Sequence, residues 1–214
     1  YKRQARNCHK AVYHALYLRN LTPTYVYPQM DKKWWINGGI SPDKVERALA
    51  ANPEIKAVLI TSPTYDGVVS DIGKIAEIVH RHEIPLIVDE AHGAHFHFSN
   101  YFPVSAADLG ADLVIHSGTK FLGGHNDTLA GFLCSADEET AKKIRYIYKT
   151  VGSCLAPFDS YLILRGIKTL SVRLRAQQDN AIKIANWLKG HEKVKQVYYV
   201  GLKEHPGYGV NASQ

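Results

Sequence analysis

Two short apolar runs, each ending abruptly in polar chemistry, restrict this chain more than any other feature. Leu86-Ile87-Val88 stops at Asp89-Glu90-Ala91-His92-Gly93, and Leu113-Val114-Ile115-His116 stops at Ser117-Gly118-Thr119-Lys120. Apolar runs of this length, bounded by polar residues, fit strands buried on both faces, as in parallel sheets. Ligands of such sheets sit beyond the carboxyl ends of the strands. Two neighbouring strands would therefore deliver Asp89 and Lys120 to one rim.

The rest of the chain supplies the frame. Ser41-Pro42-Asp43 has the cap, first-turn proline and early acid of a helix start, and Asn52-Pro53 stops that helix. Ala57–Thr61 reads as a buried strand, Ser62–Gly67 as a loop, and a helix beginning at Ser70 or Asp71 carries Ile72, Ile75, Ala76 and Val79 on one face. Further strands are expected at Thr22–Tyr27, Pro85–Asp89, Asp112–His116, Leu129–Cys134 and Val194–Val200. Helices are expected near 10–19, at Ser105–Leu109 (short) and over 137–150. Another spans most of 157–189, with a bend at Gly166. Strand and helix alternating through short connections predict an α/β fold. Its sheet is mostly parallel and flanked by helices in three α/β/α layers, with right-handed crossovers. The domain reading is a large domain at 1–156, a bridging helix at 157–190 and the start of a small domain at 191–214.

Composition excludes some classes. The chain has 214 residues, 45% of them hydrophobic, enough for a sizeable core. No apolar stretch approaches the roughly 18 residues of a membrane span. The net charge of +6 comes from Lys and Arg scattered along helices, which reads as a solvated basic surface and not a nucleic-acid face. Three cysteines, Cys8, Cys134 and Cys154, lack metal spacing and read as reduced thiols of a cytoplasmic protein. The sequence starts at Tyr1, its single methionine is Met30 and no signal peptide is visible, so a piece of a longer chain is expected.

A lysine directly after a buried strand, partly desolvated, suits Schiff-base formation. An aspartate buried one strand away suits a protonated pyridinium nitrogen, the arrangement that pyridoxal 5′-phosphate needs to act as an electron sink. Ser117 and Thr119 flank the lysine and can donate to a phosphate. The plainer alternative is an ordinary Asp89–Lys120 ion pair.

Longer strings carry a resemblance. Arg6-Asn7-Cys8-His9-Lys10, Gly39-Ile40-Ser41-Pro42, Thr61–Gly67 and Val88–Phe96 resemble the large domain of the bacterial ornithine/lysine/arginine decarboxylases. That resemblance implies that His9 stacks on the cofactor ring, Asp89 pairs with the pyridine nitrogen and Ala91 packs on the other face, with His92 beside them. His116–Asp127, Pro157–Leu170 and Gly201–Tyr208 instead resemble cystathionine γ-synthase and γ-lyase of the Cys/Met metabolism family. There the match makes Lys120 the Schiff-base lysine, with Ser117 and Thr119 on the phosphate. Where the decarboxylases have a histidine before the lysine, this chain has Thr119.

Both families have fold type I of the pyridoxal phosphate enzymes. The two resemblances meet in register between Asp89 and Lys120, as in a mosaic or chimera. They imply a lyase acting on an amino acid, by decarboxylation or by C–S chemistry, in a homodimer or larger homo-oligomer. A scaffold that binds the cofactor without turnover is the other outcome. The main phosphate-binding turn is expected upstream of Tyr1, and the arginine for the substrate carboxylate downstream of Gln214.

Two competing readings draw on the same stretch. Asp89-Glu90-Ala91-His92 is also the acidic box of helicases, but residues 1–88 contain no Gly-x-x-x-x-Gly-Lys-Ser/Thr loop to hold a nucleotide. His92, His95 and His97, with Asp89 or Glu90, have the atoms of a metal site but no distant fourth ligand.

Overall fold

The computed structural model describes residues 7–33, 35–97 and 102–209. Arg6 of the first string and Trp34 of the loop after the expected first strand lie outside them. The central sheet has four strands: β3 (Val58–Thr61), β4 (Leu86–Asp89), β5 (Leu113–Ser117) and β6 (Gly131–Cys134), in that order. A separate two-stranded ribbon pairs β1 (Met30–Asp31) with β2 (Ile36–Asn37). Strands β3, β4 and β5 run parallel, and β6 returns antiparallel at the edge.

Register explains the core. Ile60 pairs with Val88, and Val88 with Val114, so these side chains share one face. All three are at most 1% exposed. Against them pack Val45 and Leu49 of α2 (Pro42–Ala51) and Ile72, Ile75, Ala76 and Val79 of α3 (Ile72–Arg81). Each fully buried aliphatic side chain contributes roughly 1.5–3 kcal/mol by leaving water. Helix α3 forms where its spacing demands. The Asp71 side chain accepts the Lys74 N–H at 3.2 Å, four apolar residues make one stripe, and His80 and Arg81 meet the negative end of the helix dipole.

The remaining helices are α1 (Lys10–Leu18), α4 (Glu138–Val151), α5 (Pro157–Ile167) and α6 (Leu170–Lys189). Helix α4 is capped by Asp137, whose carboxylate accepts the Thr140 N–H at 2.6 Å, and ends at Gly152 in the left-handed conformation. The long helix expected over 157–189 is two helices, and the break falls at Lys168-Thr169, just past Gly166.

Three expected elements are absent among the described residues. Thr22–Tyr27 is irregular because Pro23 and Pro28 remove two N–H donors and the stretch has no strand beside it. Residues 106–110 make only a single turn, in which the Ser105 carbonyl accepts the Asp108 and Leu109 N–H groups and Gly110 sits at φ +96°. Val194–Val200 has strand-like composition but no partner strand, and runs as turns and irregular chain. No helix among the described residues is long and apolar enough to cross a membrane.

Candidate active site

Strand alternation sorts the two acids at the end of β4. Asp89 pairs with Thr61 on one side and Ile115 on the other. Its side chain therefore lies on the same face as Thr61, Ile115 and Ser117, opposite the helix-packed core. Glu90 is one residue on and turns to the core face, where it meets His116. Glu90 is 1% exposed. Its carboxylate accepts the Ala106 N–H at 2.9 Å and the Ser105 hydroxyl at 3.2 Å, and lies 3.4 Å from His116 Nε2. Burial raises the Glu90 carboxyl, opposed by its hydrogen bonds from Ala106 and Ser105, and burial lowers the His116 imidazole. The acid thus anchors the loop after β4 to β5.

Asp89 is 7% exposed and accepts the Ala91 N–H at 3.2 Å. Among the described residues no cation forms a salt bridge with it, so the ordinary Asp89–Lys120 ion pair is not formed. Beside it the Thr61 hydroxyl is buried without a hydrogen-bond partner among the described residues. Asn7, next to buried Cys8, likewise has both side-chain amide atoms buried and unpartnered among the described residues. Polar groups of this kind are costly to bury without a partner. Burial raises the Cys8 thiol, and the Asp89 charge raises it further, so the start of α1 lies within electrostatic reach of Asp89.

Lys120 sits in a wide turn, Gly118–Leu122, directly after β5 and is half-buried. Here the Gly123 N–H reaches back five residues to Gly118 O at 2.9 Å, and Lys120 itself leaves helical geometry (φ −90°, ψ −126°). Upstream, the Gly118 N–H donates to Ala130 O at 2.8 Å, and Thr119 Oγ1 both donates to Ala130 O and accepts its N–H. The Ser117 hydroxyl makes no hydrogen bond among the described residues.

His92 connects the two strand ends. Burial lowers its imidazole most, the Lys120 charge lowers it further and the Asp89 charge raises it. Its ring meets Tyr65 edge-on at 5.4 Å. Ala91 is buried beside it. His9 is exposed, and its Nδ1 accepts the Ala11 N–H at 3.3 Å as the cap of α1. The three histidines of the metal reading go separate ways: His92 to Tyr65, His95 between Phe96 and Phe102 at 5.0 Å, and His97 to Asp108 at 3.2 Å. An open cavity of about 560 Å³ lies beside the rim, lined by Thr119, Asn126, Asp127, Thr128, Leu129 and Asp159. Thr128 donates to Asp159 there at 2.6 Å.

These residues fit pyridoxal phosphate. A buried carboxylate and a hydroxyl on its strand neighbour, both without a side-chain partner among the described residues, and a lysine on the next strand end are complementary to a ring cation, polar ring substituents and an aldehyde.

The buried histidines also predict how stability responds to pH. His92, His95 and His116 are all held below the ordinary 6.5, mainly by burial. As pH falls through 6.5 the unfolded chain takes up protons that the folded chain refuses, so stability is lost on acidification. Glu90, raised from 4.5, works in the opposite direction, since the unfolded chain loses that proton first as pH rises. Three histidines against one acid should make the melting temperature fall between about pH 8 and pH 5. His95→Phe, which keeps the aromatic contacts, should flatten that fall, and an unchanged slope would refute the assignment.

Cystathionine β-lyase of Arabidopsis thaliana, a chloroplastic protein, is 44% identical over 172 residues, covering 79% of this chain and 35% of that one. Cystathionine γ-lyase of Bacillus subtilis is 37% identical over 175 residues, 81% of this chain and 44% of that one. The solved cystathionine γ-lyase of Lactobacillus plantarum, complexed with L-serine, superposes with a TM-score of 0.72 at 28% identity, over 100% of this chain and 54% of that one. The chain thus spans between about a third and a half of the length of these relatives. The fold is fold type I of the pyridoxal phosphate enzymes, α/β with a mostly parallel sheet flanked by helices.

One family model, described as Cys/Met metabolism PLP-dependent enzyme, matches residues 22–214. The match runs through residue 115, where a junction between two families was expected. A decarboxylase half and a chimeric origin find no support in it. On the strength of this match the chain belongs to the Cys/Met metabolism family of enzymes, whose cofactor is pyridoxal 5′-phosphate.

Proposed function

We propose that this chain carries the central part of a transsulfuration-type active site, which makes or breaks a carbon–sulfur bond in an amino-acid substrate. The observation that carries the reading is the pairing of Asp89, buried and without a salt-bridge partner among the described residues, with Lys120 on the next strand end. The relatives named above, cystathionine lyases, support this choice of chemistry over decarboxylation.

When bound, pyridoxal phosphate supplies an electron sink for charge that develops at the substrate's α-carbon. Asp89 keeps a proton on the pyridine nitrogen by placing a negative charge beside it in a site of low polarity. Lys120 holds the cofactor through Nζ and, once released, moves the α-proton. Ser117 donates its hydroxyl to the phosphate, and Thr119 does so by exchanging its contact with Ala130 O. His9 stacks on one ring face and Ala91 packs on the other, with His92 between Asp89 and Lys120. The cavity bounded by Thr119 and Asp159 receives the substrate. Residues 1–156 form the cofactor domain, 157–190 the bridge and 191–214 the start of a small domain. Phe158, Tyr161 and Leu164, each at least 58% exposed on α5, suit contact with a second subunit. The three cysteines are free, which fits a cytoplasmic setting.

The test is spectroscopic. Added pyridoxal phosphate should give wild-type protein a long-wavelength absorbance band that Lys120→Ala abolishes. A folded wild type without such a band would sink the cofactor reading and leave an inert scaffold. Turnover of cystathionine and not lysine should then separate carbon–sulfur chemistry from decarboxylation.

A further inference from the structure

Arg173, on α6, is fastened to the turn that carries Lys120. Its Nη2 donates to Phe121 O at 3.0 Å and Leu122 O at 3.4 Å, the two residues directly after Lys120, and to Gly166 O at 2.8 Å near the end of α5. Its Nε donates to Thr169 Oγ1 at 3.1 Å, and Thr169 Oγ1 in turn donates to Gly166 O at 3.1 Å. Nη1 is buried without a partner among the described residues. One guanidinium therefore meets the carbonyl ends of two helical segments. Carbonyls at such ends have no partner within the segment and carry partial negative charge, which a cation satisfies.

The surroundings leave no slack for this fork. A Cβ at Gly124 would run into the Arg173 guanidinium, and one at Gly166 into Gly123 O. Upstream of Lys120 the chain is pinned to Ala130, and its own carbonyl accepts the Gly124 N–H at 2.8 Å. Downstream, the side-chain hydrogen bonds to the Phe121 and Leu122 carbonyls all come from Arg173 among the described residues. The lysine's backbone is thus held from both sides, by Ala130 just before β6 and by Arg173 of α6.

We propose that Arg173 is a positioning residue for Lys120. By clamping the turn to α6, it fixes where the lysine amine points. This rests on the reading of Lys120 as the cofactor lysine. The planar fork works through two arms, Nη2 on the carbonyls and Nε on the Thr169 hydroxyl, and the single ammonium point of lysine does not make both contacts. A displacement of about 1 Å in a reacting group can cost about 100-fold in rate.

The experiment measures how fast the long-wavelength band develops when pyridoxal phosphate is added to the full chain, together with the melting temperature. Arg173→Ala should slow band formation by roughly 10- to 100-fold. Added guanidinium ion at sub-denaturing concentration should recover part of that rate, whereas Arg173→Lys should remain slow. Thr169→Ala removes only the hydroxyl that orients the guanidinium, so it gives a smaller loss and covers the case in which Arg173→Ala does not fold. Arg175→Ala, an exposed position on the same helix, should match wild type. A folded Arg173→Ala or Thr169→Ala that forms the band at the wild-type rate overturns the proposal, even with a lowered melting temperature. Absence of the band in wild type overturns the cofactor reading, and this assignment with it.

Discussion

Asp89→Asn is expected to fold like wild type and to lose roughly 100- to 1000-fold in turnover when loaded with pyridoxal phosphate, the scale set by removing one preorganised electrostatic partner. The substitution is nearly isosteric, and an amide oxygen can still accept the Ala91 N–H, now 3.2 Å from the carboxylate. What disappears is the negative charge, at a position 7% exposed. In such surroundings a charge acts far more strongly than in water. An asparagine cannot keep a proton on a pyridine nitrogen against neutral solvent, so the cofactor's capacity to withdraw charge falls while its binding is largely retained. Melting curves, the absorbance band and turnover of cystathionine check the three parts separately. Turnover within about threefold of wild type, less than 1 kcal/mol in barrier, would remove Asp89 from that role.

Asp89 and Lys120 were legible because each ends a short apolar run, and register in a parallel sheet brings such ends together. The partition between Asp89 and Glu90 follows from the period of two along a strand. It becomes readable only once the strand is known to continue to that point. The meeting of Glu90 with Ala106 and His116 depends on a loop whose path has no local signature. Arg173 lies 52 residues beyond Phe121, and nothing at its own position in the sequence marks it. Thr22–Tyr27 and Val194–Val200 failed as strands for a related reason: strand composition is local, but a strand exists only with a neighbour to share hydrogen bonds. Similarity of local strings suggested two families, whereas the family model matched over residues 22–214 needs only one.

Gly166→Ala should destabilise the chain by about 1–3 kcal/mol, the usual cost of forcing an extra methyl into a filled space. For a domain of this length that lowers the melting temperature by about 2–12 °C. Helix propensity alone predicts the reverse, because alanine is favoured over glycine within a helix by up to about 1 kcal/mol. The structure decides between the two. A Cβ at Gly166 would collide with Gly123 O and come within 3.0 Å of Leu122 O, both of them backbone. Neither can retreat by rotating a side chain. Gly123 is itself held by its N–H to Gly118 O at 2.9 Å, and Leu122 O by Arg173. The methyl must therefore push α5 away from the lysine turn, loosening the Arg173 clamp, so slower formation of the cofactor band should accompany the lower melting temperature. Gly73→Ala is the control, since its Cβ would meet nothing nearer than 3.9 Å early in α3. There propensity should prevail and the melting temperature should hold or rise. If Gly166→Ala behaved like Gly73→Ala, the close approach of α5 to the Lys120 turn would be wrong.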